Sequence, residues 1–128
     1  MTNRSAKTAL VVEDSAIMRD FIVSSLSTFP DLRPVEVANG FEALKILPQQ
    51  EVDIILTDIN MPDINGLELL SFLKNHPTYR TIPVVIISTE KSENDRKRGL
   101  ALGADDYLTK PFQPAELQFI VRRILKLE

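Results

Sequence analysis

The chain has no cysteine, no tryptophan, only four glycines, and no apolar run longer than about five residues. Without cysteine there is neither a disulfide framework nor a cysteine-based zinc site, and a reducing compartment is expected. The apolar runs fall far short of the roughly 20 residues that span a bilayer. Thr8 to Val12 is too short for a secretion-signal core and runs straight into Glu13-Asp14. The expectation is a soluble, cytoplasmic protein with no membrane insertion. The glycines, at 40, 66, 99 and 103, form no phosphate-cradling loop, which argues against ATPase or kinase chemistry. Strong basicity is missing too. The net charge is -3, with 7 Lys/Arg against 12 Asp/Glu over residues 1–90 and 8 against 6 over 91–128. A nucleic-acid interface usually shows as a strongly basic face, so none is expected.

What the chain does have is 128 residues, 44% of them hydrophobic, enough for one domain around its own core over residues 1–128. Apolar runs alternate with helical periodicity from end to end. Thr8–Val12 reads as a strand, followed by Met18, Phe21, Ile22, Leu26 and Phe29 at helical spacing. Pro34–Val37 alternates like an edge strand, with proline at its start. Phe41–Leu47 is a short helix closed by Pro48, and Val52–Thr57 a second apolar strand. Leu69, Leu70 and Leu73 mark a third helix stopped near Pro77, and Pro83–Ile87 is another buried strand. Asn94–Leu102 is a helix with Gly103 just past its end. Asp106–Leu108 is a short last strand. Leu117, Ile120, Val121, Ile124 and Leu125 stripe a final helix that Pro114 opens. Five strands alternating with five helices predict an α/β, doubly wound, five-stranded parallel sheet. The uniformly apolar first, third and fourth strands belong at the centre, giving the order 2-1-3-4-5 of flavodoxin-like folds.

In such a sheet all strand carboxyl ends lie at one edge, where ligands bind. The first strand ends in Glu13-Asp14, the third in Asp58, the fourth in Ser88-Thr89 and the fifth in Thr109-Lys110-Pro111. Three carboxylates in one crevice repel each other, and Lys110 offsets only one charge. A divalent cation fits the remainder. Hard oxygen donors with no nearby His or Cys favour magnesium, which is commonly completed by water and phosphate oxygens. The crevice therefore suits a phosphoryl group beside a metal, with a carboxylate able to act as nucleophile. Ser88 and Lys110 are placed to stabilise charge on the transferring group.

These residues, in this order and spacing, closely resemble the CheY-like receiver domain of two-component response regulators. The resemblance covers Leu10 to Leu125 and rests on the acid pair Glu13-Asp14, on Asp58, on Ser88 and on Lys110-Pro111. It implies a phosphorylation-activated signalling switch rather than an enzyme, beyond Mg2+-dependent self-phosphorylation and autodephosphorylation. Asp58 would accept a phosphoryl group from a phosphohistidine on a sensor histidine kinase or phosphotransfer protein. Asp14, Asp58 and the backbone carbonyl of Asn60 would ligate Mg2+, with Glu13 acting through water. Lys110 would pair with Asp58 and then with the phosphoryl group, across a cis Lys110–Pro111 bond. Ser88 would shift toward the phosphate and Tyr107 change rotamer. An unidentified output protein would read the surface of the fourth helix, fifth strand and last helix, where Lys91, Arg96, Lys97, Arg98, Tyr107 and Arg122 are expected.

Two positions qualify the resemblance. Thr89 is larger than the small residue the family usually carries there, and is expected to narrow access to Asp58 and hinder inward rotation of Tyr107. Asn60 and Glu90 occupy positions by which the family sets phosphoryl lifetime. The run Asp58 to Pro62, the run Gly66-Leu67-Glu68-Leu69 and the segment Asp14-Ser15…Met18-Arg19 are similar to chemotaxis-type single-domain regulators. Two rival readings stand beside this one. An aspartyl-nucleophile phosphohydrolase needs a second Asp two residues on, where this chain has Asn60. A receiver used as a constitutive, never phosphorylated binding module is the other alternative.

Overall fold

A computed structural model describes residues 6–89 and 93–127. The elements run β1 (Lys7–Val12), α1 (Ala16–Leu26), β2 (Leu32–Val37), α2 (Gly40–Ile46), β3 (Ile54–Thr57), α3 (Gly66–Lys74), β4 (Val84–Ser88), α4 (Glu93–Ala101), β5 (Asp106–Thr109) and α5 (Pro114–Leu125). The five strands form one sheet in the order β2-β1-β3-β4-β5, every pair parallel. None of the helices among the described residues is long and apolar enough to cross a membrane.

The strand sequences explain the layering. Side chains alternate across a sheet, so a strand apolar at every position must be covered on both faces. Leu10, Val12, Ile55, Val84 and Ile86 point into one core with α2 and α3. Ala9, Val11, Ile54, Leu56, Val85 and Ile87 point into the other, with α1 and α5. Register ties the central strands together, Leu10 opposite Ile55 and Leu56 opposite Val85.

Element ends differ from the sequence reading in instructive places. β2 begins at Leu32, so Pro34 lies inside the strand and not at its start. The strand is an edge with only β1 beside it, where a missing donor is tolerated. β3 begins at Ile54, after Asp53 has turned its carboxylate to accept the Thr8 N–H at 2.7 Å. Two helices open on the same four-residue pattern. The side chain of Asn39 accepts the N–H of Glu42, and that of Asn65 the N–H of Glu68, each at 2.9 Å. Glu68 also reaches back to the Asn65 N–H at 2.9 Å, completing a capping box.

Gly66 follows that cap for a packing reason. A Cβ there would overlap the backbone carbonyl oxygen of Asp58. The Gly66 N–H donates to the Ile59 carbonyl at 2.9 Å, drawing α3 tight against the end of β3. Gly99, in contrast, is a buried helical glycine whose added Cβ would meet the Tyr107 ring at an ordinary 3.5 Å. Gly66→Ala is therefore expected to lose about 1–3 kcal/mol of stability through overpacking. Gly99→Ala is expected to gain about 0.5–1 kcal/mol from helix propensity. Urea titrations of the two variants check the contrast.

Candidate functional site

The carboxyl ends of β1, β3, β4 and β5 deliver their side chains to one crevice. Glu13 follows β1 and is anchored by its N–H to the Val37 carbonyl at 3.1 Å; Asp58 follows β3, its N–H on the Val12 carbonyl at 3.2 Å. The Lys110 N–H donates to the Ser88 carbonyl at 2.8 Å, which sets the end of β5 against the end of β4. These backbone bonds are what bring residues 97 positions apart in the chain into contact.

Lys110 is the centre of the arrangement. Its Nζ lies 2.9 Å from Glu13 Oε1 and 3.3 Å from Asp58 Oδ2. The pairing with Asp58 implied by the family resemblance is present, but Glu13 is the nearer partner. Asp58 Oδ1 accepts the Ile59 N–H at 2.7 Å, so both Asp58 oxygens are held. Glu13 Oε2 accepts the Ser15 N–H at 3.0 Å. Asp14, between them in sequence, is exposed, and among the described residues its carboxylate has no hydrogen-bond partner. Ser88 is fully buried at the end of β4, and the peptide bond between Lys110 and Pro111 is cis.

Burial dominates the electrostatics of Glu13, which is only 1% exposed. Desolvation pushes its carboxyl above the ordinary value of 4.5, and the Asp58 charge adds to the push. The Lys110 hydrogen bond and charge, with the Ser15 N–H, act in the opposite direction without overcoming burial.

Glu13, Asp14 and Asp58 each offer an oxygen, all three within 4.8 Å of one another. Three carboxylates facing one ammonium leave about two negative charges uncompensated if all are ionised. Among the described residues no other cation pairs with the cluster. Hard oxygen donors of this net charge, one carboxylate open to solvent and two buried, fit a magnesium ion that retains several waters.

Asn60 sits exposed in the turn two residues after Asp58, while Glu90 and Lys91 lie outside the described residues. Tyr107 is 3% exposed, its ring against α4 with the Arg96 guanidinium 5.6 Å from the ring centroid. The ring is therefore already inward in the presence of Thr89. Thr89, expected to hinder that inward position, is exposed just past the end of β4. Arg122 also moves. It lies over the Phe29 ring at 5.3 Å, on the α1 side, and its neighbour Arg123 pairs with Asp106 of β5 at 2.6 Å. One residue along a helix turns the side chain by about 100°, enough to exchange the two faces. Arg19, given no role from sequence, donates from Nη1 to the Glu13 carbonyl oxygen at 2.8 Å. An arginine in the first turn of the helix that follows an acid pair is the signal that could have singled it out.

Comparison with known proteins agrees with this geometry. Residues 9–122 match the response regulator receiver domain family. A probable transcriptional regulatory protein of Picosynechococcus is 40% identical, over 91% of this chain and 48% of that protein. The chain spans about half the length of the curated relatives it matches first. Among solved structures, the chemotaxis protein CheY4 of Vibrio cholerae superposes with a TM-score of 0.85 at 29% identity, covering 94% of this chain and 99% of that one. The receiver domain of the sensor histidine kinase PA1611 of Pseudomonas aeruginosa, with a magnesium ion in its active-site cleft, gives 0.84 at 30% identity, covering 95% and 99%. With its five parallel strands, its crevice of acids and its lysine before a cis proline, this chain belongs to the receiver domain family of two-component response regulators.

Proposed function

We propose that the chain, taken as one receiver domain over residues 1–128, is a phosphorylation-driven switch whose phosphoryl acceptor is Asp58. The observation that carries the reading is Lys110, held between Glu13 at 2.9 Å and Asp58 at 3.3 Å at the edge where four strands end. An Asp58 carboxylate oxygen attacks the phosphorus of a phosphohistidine on a sensor kinase or phosphotransfer protein. The phosphorus–nitrogen bond breaks, the imidazole leaves, and an aspartyl phosphate remains. Lys110 stays within reach of the new phosphoryl oxygens, and Ser88 is placed to donate its hydroxyl proton to one of them. Asp14, Asp58 and the Asn60 backbone carbonyl would hold a magnesium ion directly and Glu13 through water. When bound, that ion neutralises negative charge on the phosphoryl group. Because phosphorelays draw on ATP, this reading places the chain in the cytoplasm.

The route outward follows the sheet. Ser88 and Thr109 are register partners, as are Ile86 and Tyr107. A shift of Ser88 toward the phosphoryl group thus acts on the strand that carries Tyr107 and Lys110. Tyr107 lies against Gly99 of α4, and Arg96 of α4 donates to the Tyr107 carbonyl at 3.4 Å. The readout surface is α4, β5 and α5, with Arg96, Lys97, Arg98 and Arg123 at hand for an output partner. Reversing a two-state equilibrium from 1:99 to 99:1 needs about 5.5 kcal/mol of differential contact. Phosphorylation supplies about -1.5 to -2 charges and three acceptor oxygens toward it. The similarity of the Asp58–Pro62, Gly66–Leu69 and Asp14–Arg19 segments to chemotaxis-type regulators favours an output by protein contact.

Incubation with phosphoramidate or acetyl phosphate plus Mg2+, followed by intact mass, tests the reading. Wild type should gain one phosphoryl group and Asp58→Asn none. Failure of wild type to gain mass would favour a constitutive binding module.

The buried acid yields a second expectation. Folding raises the proton affinity of Glu13, so the native state binds more protons than the unfolded chain from pH 4.5 up to the raised value. Stability on this group's account falls as pH rises through that window and remains lower above it. Glu13→Gln keeps an acceptor for Lys110 and removes the charge. In chelator, its urea midpoint should exceed that of wild type at pH 7, and the advantage should shrink below pH 4.5.

A further inference from the structure

We infer that Arg19 is a positioning residue for Asp14, holding the acid-pair turn in the geometry that a cation requires. The inference rests on the receiver reading above and adds to it a residue outside the crevice. Arg19 lies in the first turn of α1, where its N–H donates to the Ser15 carbonyl at 2.8 Å. From there its side chain doubles back. Nη1 donates to the Glu13 carbonyl oxygen at 2.8 Å, and Nε faces Glu36 Oε1 of the edge strand β2 at 3.4 Å.

The Glu13 carbonyl belongs to the peptide that leads into Asp14, so a bond to its oxygen sets the plane from which the Asp14 side chain departs. That matters because the two acids are held differently. Glu13 has its carboxylate fixed by Lys110 and by the Ser15 N–H. Asp14 is exposed and has no such partner among the described residues, so the backbone that sets its Cα–Cβ bond is what places it. Among the described residues, the turn's other contacts are the Glu13 N–H on Val37 and the Ser15 hydroxyl accepting the Met18 N–H at 3.2 Å. Neither touches the Glu13–Asp14 peptide oxygen. Arg19 supplies that tie, and its partly exposed pair with Glu36 is a separate contact.

Charge and position make opposite forecasts. A guanidinium beside a cation site repels the cation, so deleting Arg19 would tighten Mg2+ binding if its charge were all that mattered. If the residue acted only as a surface ion pair with Glu36, its loss would lower stability slightly and leave affinity alone. As a positioning residue its loss weakens binding, on the scale of about tenfold or more that partners of metal ligands typically show.

Calorimetric titration with Mg2+, together with urea midpoints in chelator, separates these. Arg19→Ala is expected to raise the Mg2+ Kd about tenfold, and Glu36→Gln to change it little. Affinity unchanged or tighter in Arg19→Ala overturns the inference. An equal loss in Glu36→Gln also overturns it, because the effect would then belong to the β2 ion pair. Should Arg19→Ala fail to fold, Arg19→Lys carries the test. It keeps the charge but loses the two-way fork, and its Kd should rise at an unchanged chelator midpoint; an unchanged Kd sinks the idea. Wild type and Asp14→Asn distinguish the two levels of the argument. No Mg2+ binding by wild type, or undiminished binding by Asp14→Asn, defeats the receiver-site reading and this inference with it.

Discussion

Glu13, Asp14 and Asp58 share a crevice with one ammonium, and most of what surrounds them answers that imbalance. Charges of one sign cannot be gathered in a partly dry site unless something fixed opposes their repulsion. Lys110 opposes it directly from β5, and the backbone N–H groups of Ser15 and Ile59 oppose it locally. Burial acts against the arrangement, as the raised proton affinity of Glu13 records. The fold therefore keeps, at its ligand edge, a cluster that is more comfortable with a cation present. Such concentration of unfavourable charge is characteristic of sites selected for chemistry rather than for stability.

Rigid placement makes the imbalance usable. The capping box at Asn65 and Glu68, with Gly66 pressed against the Asp58 carbonyl, fixes where β3 ends and leaves no room for Asp58 to drift. On the other side, Arg19 and the Ser15 cap brace the turn that carries Asp14. Asp58 sits between two helix starts, each locked by its own local hydrogen bonds. Small displacements at this edge can then be felt by neighbouring strands instead of being absorbed by slack in the loops.

Tyr107 and Gly99 show how a nearby surface is joined to that edge. Tyr107 is packed inward against α4 at a glycine, with Arg96 over its ring and bonded to its carbonyl. β5 thus carries the buried Tyr107, and the lysine of the site follows its end three residues later. Arg123 on Asp106 completes the lateral support of that strand, on the surface where the sequence leads one to expect Arg122.

Pattern alone determined the architecture. Runs such as Ala9–Val12 and Val84–Ile87, apolar on both faces, admit little but central parallel strands, and the acids, hydroxyl and lysine that follow them must then meet at one edge. The same logic reached Glu13, Asp14, Asp58, Ser88 and Lys110 before any coordinates. Pattern did not reach the distances that rank partners, which left Lys110 closer to Glu13 than to Asp58. Nor did it reach the inward ring of Tyr107, the exchange of Arg122 for Arg123, or the return of Arg19 onto the Glu13 carbonyl. Periodicity reports which side of an element is apolar. Where a long polar side chain finds its partner depends on the phase of the helix and on which strands lie beside it, and only the folded chain decides that.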